Sequence, residues 1–157
     1  MKQYELEISY PHQTNPSEAQ VSGVFDAHAI QSKFTHMNWN QLLILQLQMQ
    51  AASTTFTVTD PDTQQSIQIQ MKEFASSDQL EFQLESDIAV ETSKKNLFGL
   101  LTLKSKDYVS FDQLRMTEVQ HLLGQFLNGD VERIKAQYLE SIAKVEPVKK
   151  SLLSGKI

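Results

Sequence analysis

The sequence predicts an α+β domain: an antiparallel sheet of about five strands, packed against helices and closed by a C-terminal αα-hairpin. Three observations carry that prediction. Residues 4–10 and 55–84 repeat apolar side chains with period two, the mark of strands with one buried face. Residues 117–146 repeat them with a helical period, interrupted once by Asn128-Gly129. A chain of 157 residues has enough core for one domain and little for two. The domain is assigned to residues 1–146, and 147–157 to a basic, flexible tail.

Tyr4, Leu6, Ile8 and Tyr10 alternate with polar neighbours and predict the first strand, which Pro11 and Thr14-Asn15-Pro16-Ser17 end. Residues 19–34 satisfy two patterns. Val21, Val24, Phe25 and His28 follow helical spacing, whereas Val21, Gly23, Phe25 and Ala27 alternate as a strand does. A Ser17/Gln20 capping box favours the helix, and the strand stays open. Trp39, Leu42, Leu43 and Leu47, with Asn38 as N-cap, predict a helix over 38–51. Leu43, Leu45, Leu47 and Met49 alternate too, but Leu, Gln and Met favour helix.

Phe56 and Val58, then Ile67, Ile69 and Met71, alternate on either side of Asp60-Pro61-Asp62-Thr63 and predict a hairpin with a type I turn. Leu80, Phe82 and Leu84 predict the next strand. Residues 96–104, apolar on both faces, predict a central strand with Gly99 at a bulge or close approach. A Thr117/Gln120 capping box opens a helix whose stripe is Val119, Leu122, Leu123, Phe126 and Leu127. Asn128-Gly129 stops it and Asp130 caps the next, whose stripe of Val131, Ile134, Tyr138, Leu139 and Ile142 runs toward Pro147.

Charge is split along the chain. Residues 1–93 carry a net −9 and residues 94–157 a net +4. A field of that kind orients a charged partner before contact. Cysteine is absent, which excludes disulfides and thiolate chemistry. The first residues are acidic where a secretory signal needs an apolar run, and the longest apolar stretch is Leu42–Leu45. A cytoplasmic protein without a membrane partner is the expectation.

No motif predicts a cofactor, a metal or a catalytic set. His12, His28, His36 and His121 lack ligand spacing. Ser141-Ile142-Ala143-Lys144 matches Ser-x-x-Lys without the companion motifs of that chemistry. Asp60-Pro61-Asp62 has a full explanation as a turn, and five glycines form no phosphate-binding loop. An acidic protein without a basic, aromatic-rich stripe is not expected to bind nucleic acid.

The candidate site is an acidic ledge. If residues 79–91 are extended, Glu81, Glu85, Asp87 and Glu91 project from one side while Leu80, Phe82 and Leu84 face the core. Such a row favours a basic protein partner. Lys94, Lys95, Lys104 and Lys106 are the basic set that would pair with it internally, bind an anion or meet a second copy. In size, lack of cysteine, acidic sheet half and αα-hairpin, the chain resembles small acidic immunity proteins of bacterial toxin–immunity pairs. The resemblance implies a non-catalytic inhibitor that occludes a toxin's basic surface. The alternatives are an adaptor, secretion-type chaperone or self-assembling protein that adds strands at an exposed edge of the Thr/Gln-faced hairpin, and, with less support, a small enzyme or ligand-binding domain.

Overall fold

The structure is a computed structural model describing residues 1–11, 20–49, 53–72, 80–95 and 102–154. Six strands form one antiparallel sheet: β1 (Gln3–Ser9), β2 (Gln20–Asp26), β3 (Thr55–Thr59), β4 (Ser66–Met71), β5 (Phe82–Lys95) and β6 (Thr102–Leu114). Their spatial order is β2-β1-β3-β4-β5-β6. The helices are α1 (Ala27–His36), α2 (Trp39–Met49), α3 (Met116–Leu127) and α4 (Val131–Ser154).

Period-two alternation decides which face is covered. Tyr4, Leu6 and Ile8, Phe56 and Val58, Ile67, Ile69 and Met71, and Phe82, Leu84, Ile88 and Val90 all point to one side and are buried there. The helices close that side. Phe34 of α1 makes an edge-on contact with Phe56 at 5.2 Å and a tilted one with Trp39 at 5.0 Å; Trp39 in turn meets Phe82 edge-on at 5.2 Å. The Trp39 indole N–H donates to the Phe34 carbonyl at 3.0 Å, which locks the turn between α1 and α2. On α3, Phe126 packs against Tyr4, whose hydroxyl donates to the Leu127 carbonyl at 2.8 Å. On α4, Tyr138 stands edge-on to Phe111 of β6. Helices α3 and α4 are consistent with the predicted hairpin, Gly129 taking the positive φ of 77° that stops α3.

The strand pattern prevails in residues 20–26. Val21, Gly23 and Phe25 lie opposite Ile8, Leu6 and Tyr4, and the helix begins only at Ala27, capped by Asp26, whose carboxylate accepts from the Ala29 N–H at 2.8 Å. Pairing with β1 overrides the Ser17/Gln20 box, in which Ser17 lies outside the described residues. Of the helix predicted over 38–51, Trp39–Met49 form α2, with Asn38 accepting from Gln41 N–H, and residues 50 and 51 lie outside the described residues. The β3–β4 hairpin forms with a longer turn than type I. Gln64 N–H bonds to the Asp60 carbonyl at 2.8 Å, four residues back, and Gln64 takes a φ of 61°. Asp60 caps that turn through Asp62 N–H at 2.9 Å.

Three further differences concern the second half. The predicted central strand at 96–104 lies partly outside the described residues, and its remainder, 102–104, begins β6, a strand at the sheet edge. Arg115, not Thr117, caps α3: its N–H donates to Glu118 at 2.9 Å, so the box sits two residues earlier. Helix α4 runs through Pro147 to Ser154, past the stop that proline predicts. Proline deprives only the carbonyl four residues back, that of exposed Ala143, which water can satisfy. No helix of the described residues is long and apolar enough to cross a membrane.

Phe34 is fully buried against three rings. Phe34→Ala is therefore expected to destabilise the fold by about 3–5 kcal/mol, and Tyr4→Phe, which removes one hydrogen bond, by about 1 kcal/mol. Urea unfolding monitored by circular dichroism measures both.

Candidate protein-binding face

Among the described residues, no helix covers the other face of the sheet. Its cross-strand row runs Ser22, Glu7, Thr57, Gln68, Glu85, Ser110, with Val24, Glu5, Thr59 and Ser66 in the next row. Thr and Gln form the floor, and carboxylates stand on both sides of it. Glu5 and Glu7 on β1 are exposed, as are Glu85, Asp87 and Glu91 on β5. Three strand spacings separate β1 from β5, about 14 Å.

The predicted ledge is divided by the structure. Glu81 is buried, 4% exposed, just before β5 begins, so the row of four does not stand in solvent together. Its backbone carbonyl accepts from Lys72 N–H at 3.0 Å, which closes the entry to β5. Asp87 is exposed but committed: its carboxylate accepts from the Ser66 N–H at 2.7 Å and so caps the start of β4. A bulge places it there. Between the Glu85–Ser110 and Ala89–Tyr108 pairs, β5 holds more residues than β6, and Ser86 bridges the gap by donating to the Val109 carbonyl at 2.7 Å. Glu85 accepts from the Gln83 amide at 2.7 Å, and Glu91 lies on the part of β5 that extends beyond β4. Glu5 and Glu7 are the members that sequence reasoning missed. Their signal was present in the alternation with Tyr4, Leu6 and Ile8, but only the strand order puts β1 on the same face as β5.

The basic set is dispersed. Register places Lys106 opposite Glu91, whereas Lys104, Lys94 and Lys95 face Ser93, Leu103 and Thr102. The Lys106 ammonium lies 5.7 Å from the Tyr108 ring centre. Ion pairs among the described residues include Lys2 with Asp60 and Asp62, Lys72 with Asp112, and Lys135 with Glu132. Lys72–Asp112, at 2.8 Å, joins the acidic and basic halves. The contact neutralises one outer-face carboxylate and leaves Glu5, Glu7, Glu85 and Glu91 outside these pairs.

Two carboxyls are held below the usual range. At Asp60, burial alone would raise the pKa, but the Lys2 ammonium and the Asp62 and Thr63 N–H groups outweigh it. At Asp112 the Lys72 hydrogen bond dominates, helped by Gln113 N–H against a smaller cost of burial. Lys2 is raised by its bond to Asp60.

Several of the remaining candidates have structural roles. A groove of about 550 Å³ between β6, α3 and α4 brings His121, Glu118 and Ser141 to one lining. Within it, Ser141 donates to the Tyr138 carbonyl and Glu118 accepts from Arg115 N–H. His36 Nδ1 lies 2.8 Å from the Ser32 carbonyl of its own helix. No three His, Cys, Asp or Glu side chains of the described residues converge as metal ligands. The hairpin expected to offer a free edge is central: β3 and β4 are paired on both sides, and the edges are β2 and β6. Trp39, on the stripe that predicts α2, is buried at 3%.

No protein-family model matches the chain, and comparison with curated proteins and with solved structures returns no match.

The lowered pKa values of Asp60 and Asp112 have a defined pH signature. Each stabilises the fold fully above the unfolded carboxyl value of about 3.9 and ceases to do so as pH falls through its lower folded value. Lys2, raised when folded, contributes below its ordinary value and loses its effect as pH rises past it. Urea midpoints of the wild type should thus fall more steeply below about pH 4 than those of Asp60→Asn/Asp112→Asn.

Proposed function

We propose that this domain is a non-catalytic protein-binding module that docks a basic protein on its uncovered sheet face. In the form the resemblance to immunity proteins implies, docking occludes a functional surface of that partner. The observation that carries the reading is the two-sided distribution of carboxylates. Glu5 and Glu7 flank one side of a Thr/Gln floor and Glu85, Asp87 and Glu91 the other, on a face that no helix of the described residues covers. A helix is about 10–12 Å across with its side chains, which fits between carboxylate rows about 14 Å apart. Lysines or arginines on its flanks would reach both rows. Acidic groups at a rim act mainly through the rate of encounter, and salt screens them over about 8 Å at physiological ionic strength.

The test compares the wild type with a charge-reversed face, Glu5→Lys/Glu7→Lys/Glu85→Lys/Glu91→Lys, as bait for proteins of the native cell. All four residues are exposed, so the fold should be retained. A basic protein captured by the wild type, released by salt and lost from the variant is the expected result. Association of the purified pair should slow by about tenfold or more in the variant. A partner held equally by both baits sinks the reading.

A further inference from the structure

We propose that the outer edge of β2, which pairs with no further strand among the described residues, is the docking site for an extended segment of a basic protein. That segment alternates Lys or Arg with apolar side chains and adds to the sheet beside β2. The proposal rests on the reading that the partner is basic, and names the part of it that is recognised.

The two sheet edges are built differently. Edge strand β6 carries Lys104, Lys106, Asp107 and Asp112, with a bulge where Gln113 takes a φ of 54°. Charges and bulges of that kind keep an edge from pairing. Strand β2, Gln20-Val21-Ser22-Gly23-Val24-Phe25-Asp26, has no charge before Asp26, no proline, and regular pairing to β1 along its whole length. Alternate residues of an antiparallel edge direct their N–H and C=O groups outward, so β2 offers about three or four residues for pairing. It also exposes Val21 by 50% and Val24 by 56%, one on each face of the sheet.

The surroundings of the edge differ from face to face, and that difference defines the occupant. On the helix-bearing face, a groove of about 600 Å³ is lined by Ile8, Tyr10, Val21, Met37, Leu42 and Leu45, with Lys33 and His36 at the same lining. The Lys33 ammonium lies 4.4 Å from the centre of the Phe25 ring. Apolar side chains fit that groove, and basic ones meet like charge. On the bare face, Ser22 and Val24 are followed at once by Glu7 and Glu5 on β1. An added strand would lie about 9.5 Å from β1, so a long Lys or Arg can lean over Ser22 and Val24 to either carboxylate. A period-two segment, apolar on one side and basic on the other, satisfies both faces in one register.

The probe is a capped heptapeptide of alternating lysine and valine, added to the full-length ¹⁵N-labelled protein. It should shift the amides of residues 20–26 and slow their hydrogen exchange by about tenfold or more. A peptide of the same composition, with four lysines followed by three valines, should bind at least about tenfold more weakly. Val24→Lys should weaken the alternating peptide about tenfold, while Val24→Thr, which keeps β propensity, should change it by less than about twofold. Glu5→Gln/Glu7→Gln should weaken it about threefold and flatten its salt dependence. Should a variant misfold, the exchange of the wild-type β2 amides still decides. Shifts confined to Glu85, Asp87 and Glu91 overturn edge docking but leave the basic-partner reading standing. Absence of binding at about 1 mM, or β2 amides already protected in a peptide-free dimer, overturns the proposal outright.

Discussion

Phe34 joins parts of this domain that lie apart in sequence and on separate strands and helices. Its ring meets Phe56 of β3, Phe82 of β5 and Trp39 at the start of α2, and its carbonyl receives the Trp39 indole N–H. Strands β3 and β5 are not neighbours, so a ring that touches both spans β4 and fixes how far α1 sits above the sheet. Tyr4 does the same at the β1 end, through Phe126 and the Leu127 carbonyl. Together these contacts hold the helical layer to one face. A period-two sheet with one face packed must have a polar second face, and this chain supplies Thr, Gln, Ser and Glu there.

The character of that second face is what the proposed recognition of a basic partner rests on. Among the described residues, few of its carboxylates are held in ion pairs. Lys72 consumes Asp112, and Ser66 engages Asp87, whereas Glu5, Glu7, Glu85 and Glu91 stand in solvent on both sides of an uncharged floor. Like charges held apart on a rigid sheet have little conformational entropy left to lose on binding, beyond that of their own side chains. The asymmetry of the edges adds to this. One edge is guarded by charge and a bulge, and the other is a regular strand with no charge before its last residue, beside a mainly apolar groove. A sheet with both edges guarded would be no platform for an extended partner.

Local patterns read from the chain succeed where burial on one face is the only constraint. The alternation in β1, β3, β4 and the start of β5, the helical stripe of α3 and the Asn128-Gly129 stop all appear where they are expected. They go astray where two periodicities coexist. Residues 20–26 satisfy both, and pairing with β1 selects the strand. The hairpin turn was legible in Asp60-Pro61, but not the second task of Asp60, whose carboxylate receives Lys2 from 58 residues away. The acidic ledge was legible as a row of side chains. Its division into buried Glu81, committed Asp87 and exposed Glu85 and Glu91 appears only once β5 is paired with β4, and no local pattern contains that pairing.

By itself the sequence determined the α+β class, the chemistry of each strand face, the absence of thiol chemistry and the split of charge along the chain. These follow from residue type and spacing, which are local quantities. Only the tertiary structure decided that β1 and β5 share a face, that the Thr/Gln hairpin lies inside the sheet, and that β2 is an open edge. Strand order is set by which long-range pairings bury the most apolar surface under the helices. That sum runs over the whole chain, and no window of residues contains it.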